Sequence, residues 1–197
     1  MHILHLSDLH FSSPSLQTEP ILLKDTLIQF INNTFKDEEF YLLLTGDITY
    51  KAQKDGFKEA KNFFKDIIRH THLKQTNIII CPSNHDFQKN SDENPFSAFN
   101  QFSKEIRDDN KLTFDISNPN HIIYSHNISL LSINSSYYLD HTFGYIDTDH
   151  SHNLLSTNYE QIQQSTYKIA ILHHHFLSFD QNDTSMVRNS YQLLNLR

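Results

Sequence analysis

Short apolar runs alternating with stretches of helical periodicity organise the first eighty residues. Ile3, Leu4 and Leu6 make a strand-like run from His2 to Leu6. A loop from Phe11 to Glu19 follows. Pro20 then opens a helix, since a proline in the first turn forfeits no hydrogen bond. Leu23, Leu27, Phe30 and Ile31 recur at helical spacing as far as about Phe35. Phe40 to Leu44 is a second apolar strand, and Phe57, Ala60, Phe64 and Ile67/Ile68 trace one stripe of a long helix from about Lys51 to Arg69. Asn77 to Cys81 is a third, buried strand. Strand, helix, strand, helix, strand with short joints is the pattern of βαβ units and a parallel sheet.

Beyond residue 87 the pattern changes character. Gln88 to Asn94 reads as a polar loop, Pro95 to Arg107 as a short helix and Lys111 to Ile116 as a strand. His121 to Tyr124 and Ile128 to Ile133 flank Ser125-His126-Asn127, which predicts an antiparallel hairpin. Tyr138 to Asn153 is irregular, Asn158 to Ser165 is a short helix, Lys168 to Leu172 is a strand, and Met186 to Leu196 has helical character. Without an internal repeat or a low-complexity linker, residues 1–197 are expected to form a single domain.

Composition narrows the class. With 38% hydrophobic and 12% aromatic residues the chain is globular rather than disordered. Only three Gly are present, so Asn, Asp and Ser must supply most turns. The net charge of −7 argues against a sequence-independent grip on nucleic acid, although 14 His make it pH-sensitive. Lysines 51, 54, 58, 61 and 65 form a stripe, but Asp55, Glu59 and Asp66 interleave with it, as on a solvated helix face. Cys81 stands alone, which excludes an internal disulfide and favours a reducing compartment. No basic-then-apolar leader and no apolar run near ~18 residues is found, so a cytoplasmic protein is expected, with no membrane partner.

Four clusters of metal-seeking residues each follow an apolar run. They are Asp8-Leu9-His10, Gly46-Asp47, Asn84-His85-Asp86 and His173-His174-His175. In open α/β sheets ligands bind beyond the carboxyl ends of the strands, so the clusters can converge. Taken singly each is a common loop sequence; their repetition in one order is not. Carboxylate, amide and imidazole together suit Mn, Fe or Zn better than calcium. Asp8 and His10, two residues apart in extended backbone, would point the same way toward one ion. Asp47 could bridge two ions, with Gly46 allowing close backbone approach. Asn84 would add a neutral oxygen and His173 a nitrogen. Two divalent ions so placed would clamp a phosphoryl group and acidify a bridging water. His85 would protonate the leaving oxygen or stabilise transition-state charge, and Asp86 would orient His85. His150-Ser-His152 reads as a surface loop, His174 and His175 are left open, and Cys81 reads as a buried thiol.

These residues resemble the calcineurin-like metallophosphoesterases closely. Their pattern is D-x-H, G-D-x-x-(D/N/Y), G-N-H-(D/E), a strand ending in His, and G-H-x-H. Here the first four stand as Asp8-Leu9-His10, Gly46-Asp47-Ile48-Thr49-Tyr50, Ser83-Asn84-His85-Asp86 and the run from His173. The contexts ILHLSDLHF, LLLTGDITYKAQKDGFKEAKNFF and IIICPSNHDF are similar to bacterial members near the cyclic-nucleotide phosphodiesterases. The resemblance implies an α/β sandwich of two packed mixed sheets flanked by helices in four layers, with a dinuclear site at one edge. It implies Asp8, His10, Asp47, Asn84 and His173 as metal ligands and His85 as the catalytic histidine. Two departures stand out. Ser83 replaces the usual Gly, which would strain the loop if φ there were positive. No G-H-x-H follows His175, so the fold is expected to be C-terminally incomplete, with weaker metal affinity.

The expected activity is hydrolysis of a phosphodiester or phosphomonoester, a nucleotide being one candidate substrate, by a metal-bridging hydroxide. The competing readings are a non-catalytic binding or regulatory module with an incomplete metal site, and a nuclease domain of a larger protein. Specificity would reside in loops Phe11 to Glu19, Phe87 to Asn110 and Tyr137 to Asn153.

Overall fold

The three apolar runs of the first half become neighbouring strands of one sheet. The computed structural model describes residues 2–14, 19–89, 94–177, 183 and 185–194, with backbone alone at 19–22, 193 and 194. Strands β1 (His2–Leu6), β2 (Phe40–Leu44) and β3 (Ile78–Ile80) lie parallel in that order, with Leu4 opposite Leu42 and Leu42 opposite Ile78. Parallel neighbours need crossover connections. Helix α1 (Glu19–Thr34) supplies the first, and α2 (Lys54–His70) with a 3₁₀ turn at Gln75–Asn77 supplies the second.

β2 is buried at every position because both faces of the sheet are covered. Phe40 packs against Phe35, just past the end of α1, ring centroids 4.8 Å apart. Its neighbour Tyr41, on the opposite face by strand alternation, reaches Ser125 Oγ at 2.7 Å. That serine belongs to a second sheet, made of β4 (Asn120–Ser125), β5 (Ile128–Ile133) and β6 (Tyr167–Ile171). β4 pairs antiparallel with β5, and β5 parallel with β6. Ser132 Oγ of β5 donates to Ile80 O of β3 at 2.7 Å, a second link between the sheets.

One hydrophobic core runs from α1, α2 and α3 (Ser97–Arg107) through both sheets, taking in Leu42, Phe64, Ile79, Phe102, Leu130 and Ile171. On the far side α4 (Thr148–Thr157) covers β4, with Asn120 Nδ2 donating to Ser151 Oγ at 2.9 Å. Helix, sheet, sheet and helix therefore form four layers. The first sheet is parallel and the second mixed, within the expected α/β sandwich of two packed sheets flanked by helices.

Four local expectations change. Residues 111–116 form no strand. Leu112 and Phe114 are buried against α3, and Phe114 N–H donates to Asn100 Oδ1 at 2.8 Å while its carbonyl accepts from Asn100 Nδ2 at 2.8 Å. Side chains of a helix satisfy that backbone, so alternating burial arises without a ladder. His150 and His152 sit on α4, not in a loop; Asp147 caps this helix by accepting from His150 N–H at 2.8 Å. α2 begins three residues after Lys51 because Lys51 and Ala52 adopt left-handed backbone (φ 60° and 50°). Among the described residues of the tail, α5 (Ser190–Leu194) alone is helical. Met186 and Val187 are extended and bridge His175 and Gly144, and Val187 is buried with Ile133 and Ile146 in a small second cluster. Residues 15–18, 90–93 and 195–197, parts of the two predicted loops and of the tail, lie outside the described residues.

Candidate metal centre

All four metal-seeking clusters occupy the segments that leave the carboxyl ends of strands. Asp8 follows β1, Asp47 follows β2, Asn84 follows β3 and His173 follows β6. The first two segments stay zipped together past the strand ends. Asp8 N–H donates to Gly46 O (3.2 Å), His10 N–H to Asp47 O (2.9 Å), Phe11 N–H to Ile48 O (2.9 Å) and Tyr50 N–H to Phe11 O (3.0 Å).

The route by which Asp8 and His10 converge differs from the sequence expectation. Both residues are left-handed, φ 58° and 46°, so they curl toward one point instead of projecting from an extended strand. Asp47 is left-handed too (φ 50°), after Gly46 at φ 84°. Asp and His tolerate this region better than most residues, yet it still costs roughly 1–3 kcal/mol each. A Cβ on Gly46 would lie 2.5 Å from Ser83 Cβ and 3.1 Å from His173 Nδ1. The expected close approach at this glycine is thus between the second, third and fourth clusters.

Ligand-type atoms of Asp8, His10 and Asp47 all lie within 4.8 Å of one another. The two oxygens of Asp47 look in different directions. Oδ2 faces His10 Nε2 at 3.4 Å and Oδ1 faces His173 Nε2 at 3.5 Å. His173 Nδ1 donates to Thr45 O at 2.8 Å, which fixes the tautomer and leaves a lone pair on Nε2. That lone pair and the carboxylate oxygen are both acceptors, so a cation or a proton must lie between them. Two donor atoms each ~2.0–2.2 Å from one ion stand roughly 3.0–3.5 Å apart, the separation seen at both pairs. Buried Asp47 Oδ1, Asn84 Oδ1 and His10 Nδ1 have no hydrogen-bond partner among the described residues. A buried polar atom without a partner costs about 1–3 kcal/mol, and a divalent ion between Asp47 and His173 would satisfy Asp47 Oδ1.

The turn carrying Asn84 is organised by Ser83. Its φ is not positive, so the substitution for glycine brings no strain. Instead its hydroxyl donates to Asp86 Oδ2 (2.7 Å) and accepts from Asp47 N–H (2.7 Å) and His85 N–H (3.2 Å). Asp86 is buried beneath the turn. Its carboxylate accepts from Thr49 N–H at 3.1 Å and Ser83 N–H at 3.2 Å, pinning the Asp47 and Asn84 segments together. Burial pushes its carboxyl up to about 6, against the pull of the Ser83 hydroxyl. These bonds do not reach the His85 ring, so Asp86 is a brace, not the orienting partner of His85 that its position suggested.

His85 is held by other means. Its carbonyl accepts from Ala52 N–H at 2.6 Å. Its ring stacks on Tyr50 (6.1 Å, 21°) and meets His10 edge-on at 5.3 Å. Burial lowers its pKa; Asp47 opposes that shift, and His10, His141 and His173 reinforce it. His174 meets the His173 ring edge-on at 5.0 Å. It is buried, its Nδ1 pairs with Ser135 Oγ at 2.8 Å, and burial pushes it down to about 3. Gly144 leaves room for it, since a Cβ there would come 2.7 Å from its ring. His175 pairs with Asp183. Cys81 is fully buried, which pushes its thiol up. The roles of Thr45, Ser83 and His141 carried no signal in the sequence. Ser83 and Tyr50 stood in motif slots, but without a sign of these contacts.

Asp8, His10 and Asp47 thus gather ligand-type atoms at the edge of a two-sheet sandwich, with His173 facing the second oxygen of Asp47. The sequence matches the Calcineurin-like phosphoesterase family over residues 1–194, and the chain belongs to that family, whose general activity is metal-dependent phosphoester hydrolysis. It is also 35% identical over 91 residues to the Uncharacterized metallophosphoesterase-like protein YydB of Bacillus subtilis (strain 168). The match covers 45% of this chain and 18% of that protein. No described helix is long and apolar enough to cross a membrane.

Proposed function

We propose that this chain cleaves a phosphodiester at a two-ion centre held by Asp8, His10, Asp47, Asn84 and His173, with Mn, Fe or Zn as the ions. The observation that carries the reading is Asp47 itself, with one oxygen directed at His10 and the other at His173. Ions bound there supply positive charge against the phosphoryl oxygens and make water acidic enough to attack at neutral pH.

The protein's own part is placement. Asp47 and His173 are fixed from behind by Ser83 Oγ and Thr45 O, so the donors need little reorganisation when a phosphoryl group arrives. The His85 ring, steadied by Tyr50 and His10, has no hydrogen-bond partner among the described residues and is free to meet the substrate. Its task is to donate to the leaving oxygen as the phosphorus–oxygen bond breaks. An alkoxide leaving group needs that proton, whether the substrate is a diester such as a nucleotide ester or a monoester. The same reading treats residues 1–197 as one metallophosphoesterase domain working in the cytoplasm, where a lone buried thiol stays reduced.

The test uses Mn²⁺-loaded protein with bis-p-nitrophenyl phosphate and with an alkyl diester. Asp47→Ala should abolish hydrolysis of both. His85→Ala should cost about 10²–10⁴-fold on the alkyl ester and less on the p-nitrophenyl ester, whose leaving group departs without a proton. A loaded wild type that hydrolyses neither, or variants as fast as wild type, would overturn the assignment.

A further inference from the structure

Asn84 is clasped by a residue 57 positions away. Its side-chain Nδ2 donates to His141 O at 2.7 Å, and His141 Nδ1 donates back to Asn84 O at 2.8 Å. The two bonds close a ring between the third cluster and the segment after β5. They also settle which end of the carboxamide points where, because only the NH₂ end can face a carbonyl. Oδ1 is thereby turned away from His141 and left buried without a partner among the described residues.

His141 is itself held on two sides. Its ring lies flat on Phe87, centroids 4.6 Å apart and planes within 11°. Asp140 Oδ1 accepts from Thr142 N–H (2.7 Å) and Phe143 N–H (3.2 Å), a turn that fixes the backbone on either side. Further along, Tyr145 N–H donates to Ser135 O at 2.8 Å and ties the segment to the end of β5. A His nitrogen that donates to a carbonyl keeps its proton there, so this contact is a fixed donor and not a ligand.

We infer that His141 is a positioning residue for the metal centre: it sets the Asn84 carboxamide so that Oδ1 is presented to an ion. This rests on the two-ion reading above. Without the His141 ring the backbone carbonyl would still be present, but the turn would lose its return bond and its stack on Phe87. The amide would then sample orientations that offer NH₂, which cannot ligate a cation.

Mn²⁺ titration calorimetry on the 197-residue chain reads this without any turnover. Wild type should bind two ions. His141→Ala should weaken one of them about 10–100-fold and leave the other within twofold, as expected of a side chain that orients a ligand. In an Asn84→Ala background the same change should have no further effect, because His141 acts only through Asn84. His141→Asn, which keeps a donor near the Nδ1 position, should recover most of the affinity. It also carries the test if His141→Ala lowers the metal-free melting temperature. Unchanged binding in His141→Ala, an equal loss in the Asn84→Ala background, or no recovery by His141→Asn would overturn the inference. Absence of Mn²⁺ binding by wild type would instead overturn the metal centre itself.

Discussion

Left-handed backbone at Asp8, His10 and Asp47 is the local expense of bringing three donors to one point. Strain of this kind persists only where the surroundings over-determine it, and here the ladder between residues 8–11 and 46–50 does so. Other histidines serve packing. His121 meets Phe114 edge-on at 4.7 Å, and burial pushes it down to about 4. A histidine with a lowered folded pKa is bound neutral. Its contribution is therefore present above the unfolded value near 6.5 and is lost as pH falls toward 4. The shift is worth up to about 3 kcal/mol. Urea unfolding at a series of pH values should show wild-type stability falling across this window. His121→Phe should flatten that part of the curve; an unchanged slope would contradict the assignment.

The helices and strands of the first half were legible because their patterns are dictated by local burial. β1 and β2 have the bounds that the apolar runs gave, and α2 shows the stripe of Phe57, Ala60, Phe64 and Ile67. The weight of that stripe can be measured. Phe64 is fully buried against Phe63 and Phe102, so Phe64→Ala should cost about 3–5 kcal/mol in chemical denaturation. A loss under about 1 kcal/mol would mean that α2 is not seated as described. The second half was harder to read for physical reasons. Leu112 and Phe114 alternate like a strand because side chains of α3, not a neighbouring strand, satisfy their backbone. Helix α4 was missed because its sequence, Thr148–Thr157, carries little apolar periodicity and buries Ser151 instead of a large side chain. The candidate ligands could be named from their places after strands. The braces could not: Thr45 acts through a carbonyl, and His141 comes from a loop 57 residues beyond Asn84.

At the scale of the molecule, two sheets bring four strand ends to one edge. The three parallel strands place Asp8, Asp47 and Asn84 side by side, and the second sheet delivers His173 from across the sandwich to Thr45. That arrangement concentrates negative and lone-pair density in an already acidic protein of net charge −7, and two divalent ions would offset four of those charges. Manganese anomalous diffraction from crystals grown with Mn²⁺ puts this to the most direct test. Two peaks should appear, sharing Asp47, one beside Asp8 and His10 and the other beside Asn84 and His173. No peak at that edge, or peaks that leave Asp47 unliganded, would contradict the account.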